Sequence, residues 1–334
     1  MNYKGFYNDF SKKVAAESLK KPRQRLYSTK PLVIESDICM HYPKISIVTP
    51  SYNCKALIAQ TIDSVLNQKY PNLEYIIIDG DSTDGTQQVL EQYSNSLTYW
   101  HSQKDQGQYD AINQGFAKST GEIMCWLNAD DMLLPNSLYV IAEIFAQLPE
   151  VEWLSSLQPA SWDANGYLAQ VRQLPGFNRQ AFLDGLYLPT TAKKGYWLQQ
   201  ESTFWRRSLW VKAGSLIPAY SLAGDFALWC KFYEYAQLYG VSHPLGGFRM
   251  IEGQRSEDYA TYMSQARLAL KESRIQLEWN ANTTKQIIYH SLSIPSGINQ
   301  FIRKHFGYEG SYIQKKNVRK PNSPWFIEQR SFLP

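Results

Sequence analysis

Two carboxylates stand side by side at the end of Asn128-Ala129-Asp130-Asp131, directly after the apolar run Ile123-Met124-Cys125-Trp126-Leu127. Adjacent acids at the mouth of a buried strand repel each other until a cation or a proton relieves them. Their oxygens suit a hard divalent ion such as Mg²⁺, which takes one or two protein carboxylates and fills its shell with phosphate and water. A metal–diphosphate site there would mean chemistry on an activated phosphate compound. The plainer alternative is a solvated turn ahead of a helix, with Asp131 near the cap and Pro135 in the first turn.

A second acidic segment, Asp79-Gly80-Asp81-Ser82-Thr83-Asp84-Gly85-Thr86, follows the apolar Tyr75-Ile76-Ile77-Ile78. It is not an EF-hand loop, because loop position six demands glycine and here holds Asp84. It does match the first motif of haloacid-dehalogenase-like phosphatases, in which the first Asp attacks phosphate and the second is a general acid. That reading leaves the segments around Pro50–Asn53 and Asp105–Gly115 without a purpose.

The elements that must position these groups are legible as alternating strands and helices. Lys44–Val48 reads as a β-branched strand ending at Thr49-Pro50, and Ala56–Gln68 as a helix with Leu57, Ile58, Ile62, Val65 and Leu66 on one face. Tyr75–Ile78 is a second buried strand, followed by a helix to about Tyr93. Leu97–His101 is a third strand, Tyr109–Lys118 a helix, and Glu122–Leu127 a fourth strand. This alternation predicts a parallel sheet. Ligands bind such sheets at the carboxyl ends of the strands, so Thr49, Asp79, Asp105 and Asp130 are expected to converge on one crevice. Further on, short strands are expected at Trp153–Ser156, Leu168–Arg172 and Gln200–Trp205. Helices are expected at Ser208–Ala213, Asp225–Ala236 and Asp258 to about Glu278.

Composition narrows the function classes. The 334 residues hold 44% hydrophobic and 14% aromatic residues, ordinary for a globular chain apart from the aromatic excess. The four cysteines, Cys39, Cys54, Cys125 and Cys230, have no zinc-like spacing, which suggests a reducing compartment. With no hydrophobic signal-peptide core behind Met1 and no membrane-length apolar run, a cytoplasmic chain is expected, peripheral to a membrane at most. Charge is uneven. Residues 1–44 carry 9 Lys+Arg against 4 Asp+Glu, and residues 285–334 carry 8 against 2, around an acidic middle. The basic C-terminal tail could touch anionic lipid at the inner face of the membrane. Plain solubility is the alternative. Nucleic-acid binding is not expected, since no reading motif is present and the core is acidic where phosphate would approach.

Four segments occur in order: Thr49-Pro50-Ser51-Tyr52-Asn53, Ile76 to Thr86, Lys104-Asp105-Gln106-Gly107-Gln108-Tyr109-Asp110 through Gly115, and Leu127 to Asp131. Together they closely resemble the inverting family 2 glycosyltransferases with the GT-A fold, over roughly residues 44–256. Gln200–Trp210 resembles the acceptor-side segment of that family, Gly224-Asp225-Phe226-Ala227-Leu228-Trp229 the segment bearing its catalytic base, and Phe248–Ser256 its closing loop. The implied fold class is α/β, a GT-A (nucleotide-diphospho-sugar transferase) fold with a mostly parallel central sheet and helices on both faces. Residues 1–43 would be a basic extension, and residues 257–334 a helical, then basic and aromatic, extension.

The resemblance implies roles. Thr49, Pro50 and Tyr52 would line the nucleotide pocket, and Asp79 would accept from a pyrimidine N3–H. Asp105 and Asp110 would lie near ribose and diphosphate, and Gly107 would allow close backbone approach. Asp81 and Asp84 read as turn and cap residues. Asn128 stands where the family often has Asp. Asp130 and Asp131 would hold Mg²⁺ or Mn²⁺ against the diphosphate, and Asp130 would also meet the donor. Arg249 and Arg255 are candidate diphosphate partners, with surface charge as the alternative. Asp225 is the expected general base, with a helix N-cap as the alternative. The family's closing-loop His is Ile251 here, so the site would either have one protein ligand fewer or recruit Glu252, Gln254 or Arg255; His243 is another candidate substitute, with a structural role beside Pro244 as the alternative. The implied enzyme is a metal-dependent inverting hexosyl- or N-acetylhexosaminyl-transferase. It would use a nucleoside diphosphate sugar, UDP-linked, and a glycan or lipid-linked saccharide acceptor. The absence of a QxxRW-type segment argues against a processive polymer synthase. Ile251 keeps open a non-catalytic scaffold on the same fold.

Overall fold

The first strand, β1 (Ile45–Ser51), is buried along its whole length. That burial explains its near-continuous apolar sequence, because a parallel strand covered on both faces has no solvent side to make polar. It pairs in parallel with β2 (Leu73–Asp79) and β4 (Ile123–Trp126), and β2 pairs in parallel with β3 (Tyr99–Ser102). The computed structural model describes residues 42–188, 196–216, 219–281, 307–317, 320 and 323–332. Helix α1 (Ile58–Leu66) buries Ile58, Ile62 and Val65. Helix α2 (Thr86–Tyr93) links β2 to β3, and α3 (Gln108–Lys118) packs on β1 and β2.

Beyond β4 come β5 (Met132–Leu133), α4 (Ser137–Gln147), β6 (Trp153–Ser156), β7 (Ala160–Trp162), β8 (Leu168–Val171) and α5 (Arg179–Leu183). They are followed by β9 (Thr203–Arg206), α6 (Arg207–Ala213), α7 (Gly224–Tyr235), β10 (Leu238–Val241), β11 (Gly246–Arg249) and α8 (Tyr259–Gln276). The chain ends with β12 (Tyr308–Lys315) and β13 (Trp325–Phe332).

Among the described residues the central sheet has the order β13-β12-β10-β6-β9-β4-β1-β2-β3. It is mostly parallel; β9 runs antiparallel to both β4 and β6, and β13 antiparallel to β12. A smaller sheet, β5-β11-β7-β8, stands over its own apolar cluster of Met132, Leu134, Ala160 and Trp162.

Several expectations change here. The 257–334 segment does not stay apart: β12 pairs in parallel with β10 and so extends the central sheet. Lys315 of that tail forms an ion pair with Glu143 at 2.9 Å, and the Trp325 indole donates to the same carboxylate at 2.8 Å. Lys315 therefore ties the tail to α4. The basic residues 1–41 and Arg303-Lys304-His305-Phe306 lie outside the described residues. No helix among the described residues is long and apolar enough to cross a membrane. Asp131 is not near a cap either, because the N-cap position of α4 is Asn136, in a left-handed conformation.

The core that fixes the site is aromatic. Trp229 of α7 stacks on Trp126 of β4 with ring centroids 5.9 Å apart and 8° between planes, and Trp205 of β9 meets both rings edge-on. Such pairs contribute about 0.5–1.5 kcal/mol beyond the area they bury. They lock the helix that carries Asp225 to the strand that leads to Asp130.

Candidate active site

The parallel order β4-β1-β2-β3 brings the carboxyl ends of four strands to one edge of the sheet, and the side chains there divide into outward and inward groups. Tyr52, just past β1, is 68% exposed. Thr49 and Pro50 are buried, with the Thr49 hydroxyl 3.1 Å from that of Tyr75. Asp79 is fully buried, and three of its roughly four acceptor sites are filled. Ser82 donates its N–H (2.9 Å) and hydroxyl (2.6 Å), and Ser102 its hydroxyl (2.6 Å). Asp79 thus clamps the loop after β2 to the end of β3. A phosphatase nucleophile must reach its substrate, so this placement removes the haloacid-dehalogenase reading. Asp81 has a φ of 67°, and Asp84 accepts from the N–H groups of Lys55 and Thr86, each at 2.9 Å.

Asp105 accepts from the Gly107 N–H at 2.8 Å, and burial, with Asp110 and Asp79 nearby, raises its pKa. Gly107 has a φ of 114°, and a Cβ there would meet nothing within 4 Å. The glycine is therefore demanded by backbone conformation and leaves open space in front of it. Asp110, in the first turn of α3, accepts from the Gln106 N–H at 3.0 Å, which makes it a capping group.

The adjacent acids separate. Asp131 is fully buried, where Arg249 donates its backbone N–H (2.8 Å) and Asn128 its amide (3.0 Å). Burial, together with Glu201 and Asp130, pushes Asp131 well above the usual carboxylate range. Asp130 is partly exposed and accepts from the Gln254 amide at 3.1 Å. Burial raises its pKa, while Gln254 and the Arg249 charge oppose the rise. Asp131 accordingly departs from its expected role as a second metal ligand, since its carboxyl faces the protein. The residues fit a hard cation held by Asp130 and completed by diphosphate and water. They do not form an all-protein cage: no group of three or more His, Cys, Asp or Glu suited to a metal occurs among the described residues.

Sequence reasoning missed Glu201 as a site residue. It lies in a short turn (Gln200–Ser202) before β9, placed against the end of β4 by the Gln200 amide, which donates to the Trp126 carbonyl at 2.6 Å. Burial, with Asp225 and Asp130 nearby, pushes Glu201 to about 7. The available signal was an acid in the Gln200–Trp210 segment, just ahead of the apolar Phe204-Trp205.

Asp225 occupies the second position of α7, not the N-cap, which is Ala223. Its carboxylate accepts from the Phe226 N–H at 2.7 Å and from the Tyr262 hydroxyl at 3.3 Å to each oxygen. Burial raises its pKa to about 6 against the opposing pull of these hydrogen bonds. Gly224 beside it is required by close packing, since a Cβ there would sit 2.6 Å from the Tyr109 ring. Tyr109 in turn donates to the Leu222 carbonyl at 2.7 Å and so pins the start of α7.

The closing segment shows what accompanies Ile251. Gln254 reaches Asp130, and its own carbonyl accepts from the Ile251 N–H at 3.2 Å. Arg255 donates to Gln108 at 2.7 Å, and Gln108 donates to Asn128 at 2.6 Å, so a polar chain crosses the crevice. Glu252 is exposed. Arg249 is fully buried with its guanidinium 3.1 Å from Gln60, and is not a surface charge. His243 sits near Lys315 and Glu143, where burial lowers its pKa.

Known proteins match part of this sequence and the fold. Residues 46–184 fit the sequence model of glycosyl transferase family 2. An uncharacterized glycosyltransferase of a Nostoc species is 37% identical over 105 residues, 30% of this chain and 33% of the relative. One of Mycobacterium tuberculosis is 29% identical over 184 residues, 55% of this chain and 66% of the relative. The chain thus spans from a third to about two thirds of these relatives' lengths. Among solved structures, Staphylococcus aureus TarS 1-349 in complex with UDP-GlcNAc superposes with a TM-score of 0.55 at 18% identity, covering 79% of this chain and 72% of that one. Another TarS structure gives 0.53 at 19% identity, covering 79% of this chain and 43% of that one. The fold is GT-A, and residues 46–184 match the family 2 glycosyltransferases in sequence.

Proposed function

We propose that this chain transfers a sugar from a nucleoside diphosphate sugar, UDP-linked, to a hydroxyl of a glycan or lipid-linked saccharide, with inversion. One observation carries the reading. Asp225, with a carboxyl raised to about 6, belongs to the same acid cluster as Glu201, which also senses Asp130. On this reading the base and a diphosphate-side acid share one crevice, as displacement at an anomeric carbon requires.

In the reaction Asp225 accepts the proton of the acceptor hydroxyl as its oxygen bonds to the anomeric carbon. The bond from that carbon to the diphosphate oxygen breaks on the opposite face, and its electron pair leaves with the diphosphate. Asp130 would hold Mg²⁺ or Mn²⁺, which when bound neutralises charge on the leaving diphosphate. Asn128 and Gln254 orient Asp130 and its surroundings. Tyr52 offers its exposed ring to the base, and the open space before Gly107 admits the ribose or diphosphate, near Asp105 and Asp110. Arg255, tied to Gln108, closes the crevice, while buried Arg249 acts through its charge on Asp130.

A non-catalytic scaffold remains the second reading, favoured by Ile251. Calorimetric titration of UDP, GDP, TDP and AMP, each with Mn²⁺ and with EDTA, separates the two. Metal-dependent preference for one diphosphate supports the transferase; no binding of any supports the scaffold.

A further inference from the structure

Trp197 is exposed (39%), yet its ring stacks on Tyr262 with centroids 5.5 Å apart and 22° between planes. The hydroxyl of that same Tyr262 lies 3.3 Å from both oxygens of Asp225. Tyr262 comes from α8, which packs on α7, and Trp197 precedes the Gln200–Ser202 turn. Three separate stretches of chain thus meet beside one carboxylate.

We propose that the Tyr262 hydroxyl positions Asp225 as the base, and that the exposed Trp197 ring stacked on it is the surface on which an acceptor pyranose lies. This rests on the transferase reading above. The chemistry is consistent. A phenol donating to both oxygens of a carboxylate fixes its plane and leaves the outer lone pairs for an incoming hydroxyl. An exposed indole presents a flat apolar face to the C–H face of a sugar ring. A wall of this kind selects for a cyclic sugar acceptor and against a linear polyol or a simple phosphate. The other groups facing Asp225 are Tyr109 from α3 and Glu201 ahead of β9, with Arg255 near Tyr109.

The test uses the full chain and two conservative variants. Tyr262→Phe keeps the ring and its stacking on Trp197 and removes only the hydroxyl. The ¹³C carboxyl resonance of Asp225, assigned by its loss in Asp225→Asn, should then titrate at higher pH by about half to one unit, since a donor to the charged form has been removed. An unmoved midpoint overturns the positioning role. For the platform, saturation-transfer NMR with methyl β-D-glucoside and methyl N-acetyl-β-D-glucosaminide, in the presence of UDP, should give signals that Trp197→Ala reduces several-fold and Trp197→Phe retains. No signal in the wild type, or equal signals in wild type and Trp197→Ala, overturns it. Failure of the base assignment would look different: Asp225→Asn would release UDP from UDP-N-acetylglucosamine as fast as the wild type, whatever the two spectra show.

Discussion

Asp225→Asn should make the protein more stable at pH 8 and leave it unchanged at pH 4. The carboxyl is raised from its ordinary 3.8 to about 6. The folded state therefore binds that proton more tightly than the unfolded chain, so stability falls as pH rises from 3.8 to about 6 and stays reduced above. At about 1.4 kcal/mol per pH unit the interval corresponds to about 3 kcal/mol. Asp225 is partly exposed, and solvent screening leaves about 1–2 kcal/mol of this. Asparagine keeps the shape and can still accept from the Phe226 N–H and the Tyr262 hydroxyl, so the charge alone is removed. For a chain of this length the gain corresponds to about 2–4 °C in Tm. Thermal melts of both proteins in EDTA at pH 4 and pH 8, followed by near-ultraviolet circular dichroism, measure it without any substrate. Equal Tm values at pH 8, or a less stable variant there, would refute the argument: the hydrogen bonds to the carboxylate would then outweigh its burial.

The same proton should govern turnover. With a base near 6, transfer at pH 5 should run at about a tenth of its rate at pH 7, and Asp225→Asn should lose about 10²-fold or more; UDP-release kinetics across pH check both. Asp130→Ala should abolish the Mn²⁺-dependent part of UDP binding by calorimetry, whereas Asp131→Asn should retain it, because Asp131 faces the protein. Gly224→Ala should force the Tyr109 ring away and cost about 1–3 kcal/mol in urea unfolding, with a loss of kcat greater than any change in nucleotide affinity.

Much of the nucleotide half was legible because its strands are buried on both faces and its acids follow directly from them. The expected strand Tyr75–Ile78 became Leu73–Asp79, and the expected helix Tyr109–Lys118 became Gln108–Lys118. What was not legible depends on distant pairing. Strands β5, β7 and β11 are two to four residues long, too short to show a period. Strand β12 looked like a basic tail because its partner, β10, is far away in sequence. The inward turn of Asp131 likewise depends on the Arg249 N–H, supplied from a strand more than a hundred residues later. Sequence can mark a pair of acids, but which of them faces water is decided by tertiary hydrogen bonds.

The acids also bear on whether the crevice is kept for chemistry or for binding alone. Asp130, Asp131, Glu201 and Asp225 are all raised by burial, so each costs stability when ionised. Binding a diphosphate would be better served by cations, yet Arg249, whose charge acts on Asp130, is fully buried. Replacing the expected His by Ile251 does not empty that corner, because Gln254 supplies a neutral donor to Asp130. A neutral amide holds the carboxylate in place without competing with a cation for its charge. Acids raised by burial, one of them held by an uncharged donor, make sense where a cation and a mobile proton are part of the reaction, and they make a poor surface for anion capture alone.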